Sequence, residues 1–133
     1  MIDRRVSTPL WFKLSALAWG ILVLFWLPVE DLDLRWVILF AAALCALAAV
    51  RFSLPTTTAG QVSRPWWTAP LTGALAGACV APLAVLLMVI KTGLHGHTSP
   101  DFTPDQVISV LYRAPYWAAG GLLVGLGFAL LRK

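Results

Sequence analysis

Four long apolar runs alternate with polar, turn-rich segments along the chain. They cover residues 10–27, 36–52, 69–90 and 115–131. An apolar run of about 17–25 residues is typical of a helix that crosses the roughly 30 Å hydrocarbon core of a bilayer. The pattern therefore predicts an all-α polytopic membrane protein: a four-transmembrane-helix bundle that forms a single integral membrane domain over residues 1–133.

The first run resembles a signal peptide in one respect, and the second is short for a membrane span. The first follows Arg4 and Arg5, as a signal peptide would, but no small-residue cleavage site comes after it, so we expect a retained span. The second run, Trp36 to Val50, is short, and at 1.5 Å per residue it would reach only about 25 Å. We expect the flanking Arg35 and Arg51 to snorkel, or the bilayer to thin locally.

Small residues and one proline mark the third and fourth runs. Pro82 falls in mid-span, where its missing N–H leaves the carbonyl of Ala78 without a helical partner and predicts a kink. Because helices in lipid associate by close packing, we expect the third and fourth spans to cross at glycines, or to present them to another subunit. These helix-packing candidates are Gly73, Gly77, Gly120, Gly121 and Gly125.

A short amphipathic segment precedes the fourth run. Thr103 is the predicted N-cap, Pro104 the first helical residue, and Gln106 completes a capping box. Residues 104–112 then predict an extracytoplasmic surface helix that turns at Pro115 into the fourth span. Its predicted apolar face consists of Val107, Ile108, Leu111 and Tyr112.

Composition and charge indicate lipid as the surrounding medium and give an orientation. Hydrophobic residues make up 59% of the chain and charged residues 12%, whereas soluble domains carry about 25% charged residues. Basic residues concentrate on the side of the termini, with Arg35, Lys91 and Arg113 on the other side. Because Lys and Arg mark cytoplasmic loops, we expect both termini in the cytoplasm, in a bacterial inner (plasma) or internal membrane. The basic residues form no patch with interleaved aromatics, so no nucleic-acid partner is predicted.

Tryptophans also cluster near the predicted span ends, where amphipathic indole rings prefer the interfacial level. We expect them to anchor the helices there. They are Trp11, Trp26, Trp36, Trp66, Trp67 and Trp117.

The segment after the third run concentrates the candidate chemistry. His95, His97 and Asp101 could ligate zinc or copper, or one histidine could bind the metal of a haem or chlorin. Their spacing is not diagnostic, so no cofactor is predicted, and we favour a glycine-hinged polar loop whose histidines cap the third span. Cys45 and Cys79 lie in separate apolar runs without metal-ligand spacing and are expected to be free thiols.

The function classes can be ranked from what the spans contain. The middle of each predicted span lacks an ionisable residue, which disfavours coupled transport, and neither G-x-S-x-G nor H-E-x-x-H occurs. We therefore expect a non-catalytic accessory subunit or assembly factor of a larger membrane complex, bound to other membrane subunits or to itself. The alternatives are a homo-oligomeric pore or passive small-molecule carrier, and a metal- or pigment-binding protein that uses His95 and His97.

Overall fold

The computed structural model describes residues 8–29, 33–54, 65–96 and 100–131, and the regular structure in these ranges is helical. The helices are α1 (Leu10–Trp26), α2 (Leu34–Ser53), α3 (Thr68–His95), α4 (Pro104–Tyr112) and α5 (Ala114–Leu131). Within the described ranges, three apolar units are long enough to cross a membrane: α2, α3, and α4 with α5 from Pro104 to Leu131. The all-α prediction is confirmed. Helix α1, with 17 residues, falls short of that length.

Helix α2 is longer than its apolar run. The carboxylate of Asp33 caps it by accepting a hydrogen bond from the backbone N–H of Arg35 at 2.9 Å, and the helix continues to Ser53. Its 20 residues extend about 30 Å, enough for the hydrocarbon core. The predicted shortfall of this span was therefore wrong, because polar residues at both ends are part of the helix.

Helix α3 also continues past its apolar run. The sequence ended this helix at residue 90, but it extends through Lys91 to His95. It stops where Gly96 adopts a φ of 64°, a left-handed conformation that glycine takes without a Cβ clash. The predicted end at residue 90 was wrong, because Lys91 continues the helix and its side chain packs inside the protein. Pro82 lies within α3 with its side chain exposed, and the kink expected there stays a prediction.

The helices form an antiparallel row with α3 at its centre. Helices α2 and α5 pack against α3, α1 packs mainly against α2, and α4 packs against α3. These principal contacts follow an open row and give no support to a closed four-helix bundle. We call one end of the row the terminal end and the opposite end the far end. The terminal end is where Leu10, Ser53, Thr68 and Leu131 lie; the far end is where Trp26, Leu34, His95 and Ala114 lie.

Helices α3 and α5 cross through glycines. A Cβ built on Gly73 would overlap the carbonyl oxygen of Gly121, and one built on Gly77 would overlap that of Trp117. A Cβ on Gly125 would meet the backbone at the start of α3. The two backbones can approach this closely only because no side chain stands between them.

Gly120 was predicted to share this packing surface and does not. A Cβ built on Gly120 meets no atom of the described residues within 4 Å. The physical reason is helical geometry, because successive residues are turned by about 100° around the axis. When Gly121 faces α3, its neighbour must face away.

Helix α4 begins with the predicted capping box, and part of its apolar surface is buried against the core. The hydroxyl of Thr103 accepts from the backbone N–H of Gln106 at 3.3 Å, and the Gln106 side chain accepts from the backbone N–H of Thr103 at 2.8 Å. Val110 is buried and Val107 packs against the core. Most of the predicted apolar face points outward, while Val107 and Val110 face the core, so α4 carries apolar side chains on two sides. The outward-facing residues are Ile108, Leu111 and Tyr112.

The tryptophans divide into exposed and buried groups. Four of the six predicted anchors are exposed near helix ends: Trp11, Trp36, Trp66 and Trp67. Trp26 is instead buried, and its ring centroid lies 5.2 Å from that of Phe40 on α2. Trp117 packs against the core. Interfacial anchoring was therefore the wrong role for Trp26, because its ring fills space between helices, and the role of the partly buried Trp117 stays a prediction.

Candidate functional site: a buried polar cluster

Lys91 reaches from α3 to the end of α1. Among the charged residues that the structure describes, Lys91 is the one whose side chain has no exposed surface. Its Nζ donates a hydrogen bond to the carbonyl oxygen of Val29 at 2.7 Å and lies 3.9 Å from the centroid of the Trp26 ring. Trp26 is the last residue of α1, and Val29 follows it after the turn at Pro28. One side chain thus fixes the end of α1 against α3.

Several contacts offset the cost of burying this ammonium group. An ion moved from water into a protein interior loses hydration worth several kcal/mol, and it is tolerated only where polar groups replace that hydration. The Val29 carbonyl supplies one acceptor, and the π face of Trp26 attracts the cation. The carboxyl ends of α1 and α3 add partial negative charge. The environment is therefore built for a cation.

His95 makes a second polar contact, one helical turn beyond Lys91. Its Nδ1 lies 2.6 Å from Oδ2 of Asp101, and the two side chains are only 10% and 6% exposed. Asp101 belongs to the segment that leads into α4, and the next residue, Phe102, is buried. Residues four apart on a helix share a face, so Lys91 and His95 project from the same side of α3. We call Trp26, Lys91, His95 and Asp101 the polar cluster.

The polar cluster gives little support to a metal site. Asp101 contacts the ring of His95 directly, so the two side chains form a bonded pair rather than two ligands around a shared position. A carboxylate on Nδ1 is also how metal-bound histidines are oriented, but Nε2 of His95 is buried inside the protein. No group of three or more His, Cys, Asp or Glu side chains with metal-binding geometry occurs in the described part of the chain. His97 lies outside the described residues.

Sequence reasoning singled out His95 and Asp101 but placed Lys91 after the third span and Trp26 at the membrane interface, so it missed the Lys91–Trp26 contact and the cluster as a whole. One signal was present: Lys91 and His95 are four residues apart, the spacing that places two side chains on one helical face. The contact with Trp26 spans 65 positions along the chain, and periodicity within one segment carries no information about such a partner.

A cavity lies at the opposite, terminal end of the row. It has a volume of about 340 Å³ and opens between α1, α2, α3 and α5. Its hydroxyl groups are already engaged, since Ser53 donates to the carbonyl of Ala49 at 2.8 Å and Thr72 to that of Thr68 at 2.7 Å. The remaining lining is apolar, with alanines and glycines beside larger side chains such as Val50, Leu54 and Val124. Lining residues include Trp11, Ala46, Ala49, Gly73, Gly125 and Phe128.

No protein-family model, curated protein or solved structure matches the chain. The polar cluster and the terminal-end cavity are therefore the two features from which a function can be inferred.

Proposed function

We propose that the protein is a non-catalytic, four-span integral membrane protein that serves as an accessory subunit or assembly factor of a larger membrane complex. The observation that supports this most directly is the internal use of its buried polar groups. Lys91 contacts Val29 and Trp26, and His95 contacts Asp101. Coupled transporters and enzymes need ionisable groups that face a substrate path. Here these groups hold helices together.

Helix α1 supplies the fourth span in this proposal. Its 17 residues extend about 25 Å, a mismatch that local bilayer thinning can accommodate. It turns Val23 and Trp26 inward and leaves a broad apolar surface outside, larger than a soluble protein tolerates in water. The exposed large side chains are Leu10, Trp11, Leu14, Leu17, Ile21, Leu22, Leu24 and Phe25. Lipid and a partner helix would cover this surface.

The open row supports association with another membrane protein. Helix α1 stands at its edge, held mainly by α2, by the indole N–H of Trp19 on the carbonyl of Phe40 at 2.9 Å, and by Lys91. Its outer face is therefore exposed from Leu14 to Phe25, whereas Trp11, nearer the terminal end, also lines the cavity. We place the partner against this face, where the residues from Leu14 to Phe25 are apolar apart from Ser15.

Co-purification tests the partner. The full chain, tagged and extracted in mild detergent, should retain a reproducible membrane partner identified by mass spectrometry. Replacing Leu14 and Leu17 together by alanine should release that partner. The matched control replaces Leu122 and Leu123 on the outer face of α5, and it should retain the partner. A monomer without a reproducible partner would overturn the proposal, and release by both variants would place the interface elsewhere.

The same charges that orient the chain predict which loops react from outside the cell. Cysteine is introduced at Pro100, between α3 and α4, or at Lys133, with Cys45 and Cys79 replaced by serine. A membrane-impermeant maleimide added to intact cells should label position 100 and should label position 133 only after permeabilisation. The reverse pattern would contradict cytoplasmic termini.

A passive small-molecule carrier or homo-oligomeric pore is the second candidate, and the terminal-end cavity is the observation that favours it. A cavity among small residues can widen when helices shift, and Gly73 and Gly125 both line it. Purified protein in planar bilayers and in solute-loaded vesicles tests this directly. Conductance or solute flux that scales with protein concentration would favour it over the accessory-subunit role.

A further inference from the structure

The terminal-end cavity has a surface that selects hydrocarbon. Its alanines and glycines expose only methyl groups and backbone, while Trp11 and Phe128 form aromatic walls. The Ser53 and Thr72 hydroxyls have their hydrogens directed to carbonyls of their own helices. A polar ligand that entered would lose hydrogen bonds to water without replacing them, which costs free energy. An apolar chain loses none.

The size and position of the cavity further limit the kind of ligand that fits it. A volume of about 340 Å³ is near the lower end of the roughly 300–1,000 Å³ range of ligand pockets, which fits one chain better than a whole lipid. Side chains at its rim are exposed on the outside of the row: Trp11, Val124 and Phe128. In a membrane such a mouth faces lipid, so a chain can enter sideways from the bilayer.

Tryptophans place the cavity at the depth of lipid chains. Trp66 and Trp67 are exposed immediately before α3 begins, and indole rings prefer the membrane interface. Ala69, which lines the cavity, follows within one helical turn. A lipid whose headgroup lies level with these tryptophans would therefore reach the cavity with the first part of its acyl chain.

The positive charge of side chains at this end favours an anionic headgroup on the bound lipid. Lys13 on α1 and Arg51 on α2 are exposed at the terminal end, and the described residues of that end include no acidic side chain. Basic residues next to a membrane attract anionic lipids by roughly 1 kcal/mol each. A zwitterionic headgroup gains much less.

We propose that the terminal-end cavity binds one acyl chain of an anionic phospholipid, whose headgroup is held by Lys13 and Arg51 at the same end. The acyl chain would fill the space between α2 and α5 next to Gly73. This inference is independent of the accessory-subunit proposal, because it concerns the isolated chain.

Native mass spectrometry of the purified full chain tests the proposal with two probes, phosphatidylglycerol and phosphatidylcholine of identical acyl chains, and with free oleate as a third arm. Phosphatidylglycerol adducts should exceed phosphatidylcholine and oleate adducts at equal concentration. The variant A49F fills the cavity and should lower phosphatidylglycerol affinity roughly tenfold. The matched control A48F, on an exposed position of the same helix, should bind as the wild type does.

A second measurement needs no variant. Phosphatidylglycerol carrying a diazirine on its acyl chain should label peptides that contain Trp11, Ala49 or Phe128, and unlabelled phosphatidylglycerol should compete. Equal binding of phosphatidylglycerol and phosphatidylcholine would overturn the headgroup assignment, and equal binding of oleate would overturn the phospholipid. Wild-type affinity in A49F, or labelling that spreads over all helices without competition, would overturn the cavity as the site.

Discussion

At the far end of the row, Lys91 and His95 extend from α3 to the end of α1 and to the segment before α4, whereas at the terminal end α1, α2, α3 and α5 leave about 340 Å³ between them. The far end joins elements by polar contacts, which are strong and directional in a low-dielectric interior. The terminal-end cavity is lined mostly by apolar residues, both large and small, whose contacts tolerate a change of spacing better than directional polar contacts do. One end therefore fixes the helices, and the other leaves room for a ligand or a partner.

The glycine crossing between α3 and α5 supports both ends, and breaking it should produce the largest effect. In G121L the new side chain would collide with the backbone of Gly73, which cannot move without separating the helices. Overpacking typically costs about 1–3 kcal/mol, and a collision with backbone should reach or exceed the upper value. Unfolding by SDS in mixed micelles, followed by circular dichroism, measures the loss.

The adjacent residue provides the control for that experiment. G120L adds the same side chain at a position where a Cβ meets no atom of the described residues within 4 Å. Its unfolding free energy should stay within about 0.5 kcal/mol of the wild-type value. Equal destabilisation by both variants would mean that loss of glycine itself, rather than contact with α3, decides stability.

Removing the Lys91 side chain should have the next largest effect. K91A removes a hydrogen bond from a charged group, leaves a void beside Trp26 and separates the end of α1 from α3, at a cost of about 3 kcal/mol. K91M retains the apolar stem, and well-packed apolar replacements of buried charges are often nearly neutral, so it should cost about 1 kcal/mol or less. SDS titration of both variants separates packing from polar contact. If K91M is as unstable as K91A, the ammonium contacts dominate.

Much of the fold could be predicted from the sequence because helices in a membrane follow local hydrophobic runs. The start of α4 is a clear case: Thr103, Pro104 and Gln106 contain all the information that the capping box needs within four positions. The end of α3 could not be predicted in the same way. A lysine after an apolar run usually marks an interface, and only the distant Trp26 and Val29 make its burial favourable.

The terminal-end cavity was invisible in the sequence for a related reason. A cavity is the space that side chains on several helices fail to fill, so it depends on which faces meet. Alanines of α2 show this: Ala46 and Ala49 line the cavity, while Ala41 on the same helix is fully buried. Each face of α2 meets a different neighbourhood, which composition alone does not distinguish.

One substitution made at both ends should sharpen the comparison. Ala84 is fully buried in the half of α3 nearer the far end, so A84L forces extra volume into a filled core and should cost about 1–2 kcal/mol. A49L, in the cavity at the terminal end, should change the unfolding free energy by less than about 0.5 kcal/mol. Similar losses from both, measured by SDS titration, would show that the two ends are packed alike.

The smallest effect should come from removing the charge of Asp101 while keeping its shape. In D101N the amide oxygen can still accept from Nδ1–H of His95, so the contact survives as a neutral hydrogen bond of roughly half the strength, and stability should fall by less than about 1 kcal/mol. D101L removes the acceptor as well and places an apolar group against the buried Nδ1–H of His95, so it should cost more, about 1–2 kcal/mol. Hydrogen exchange of the α4 backbone provides a local readout, because Asp101 holds the segment that leads into this helix. Faster exchange in α4 for D101L than for D101N, with α2 unchanged, is the expected order. If both variants leave α4 exchange at the wild-type rate, the His95–Asp101 pair does not fix that segment.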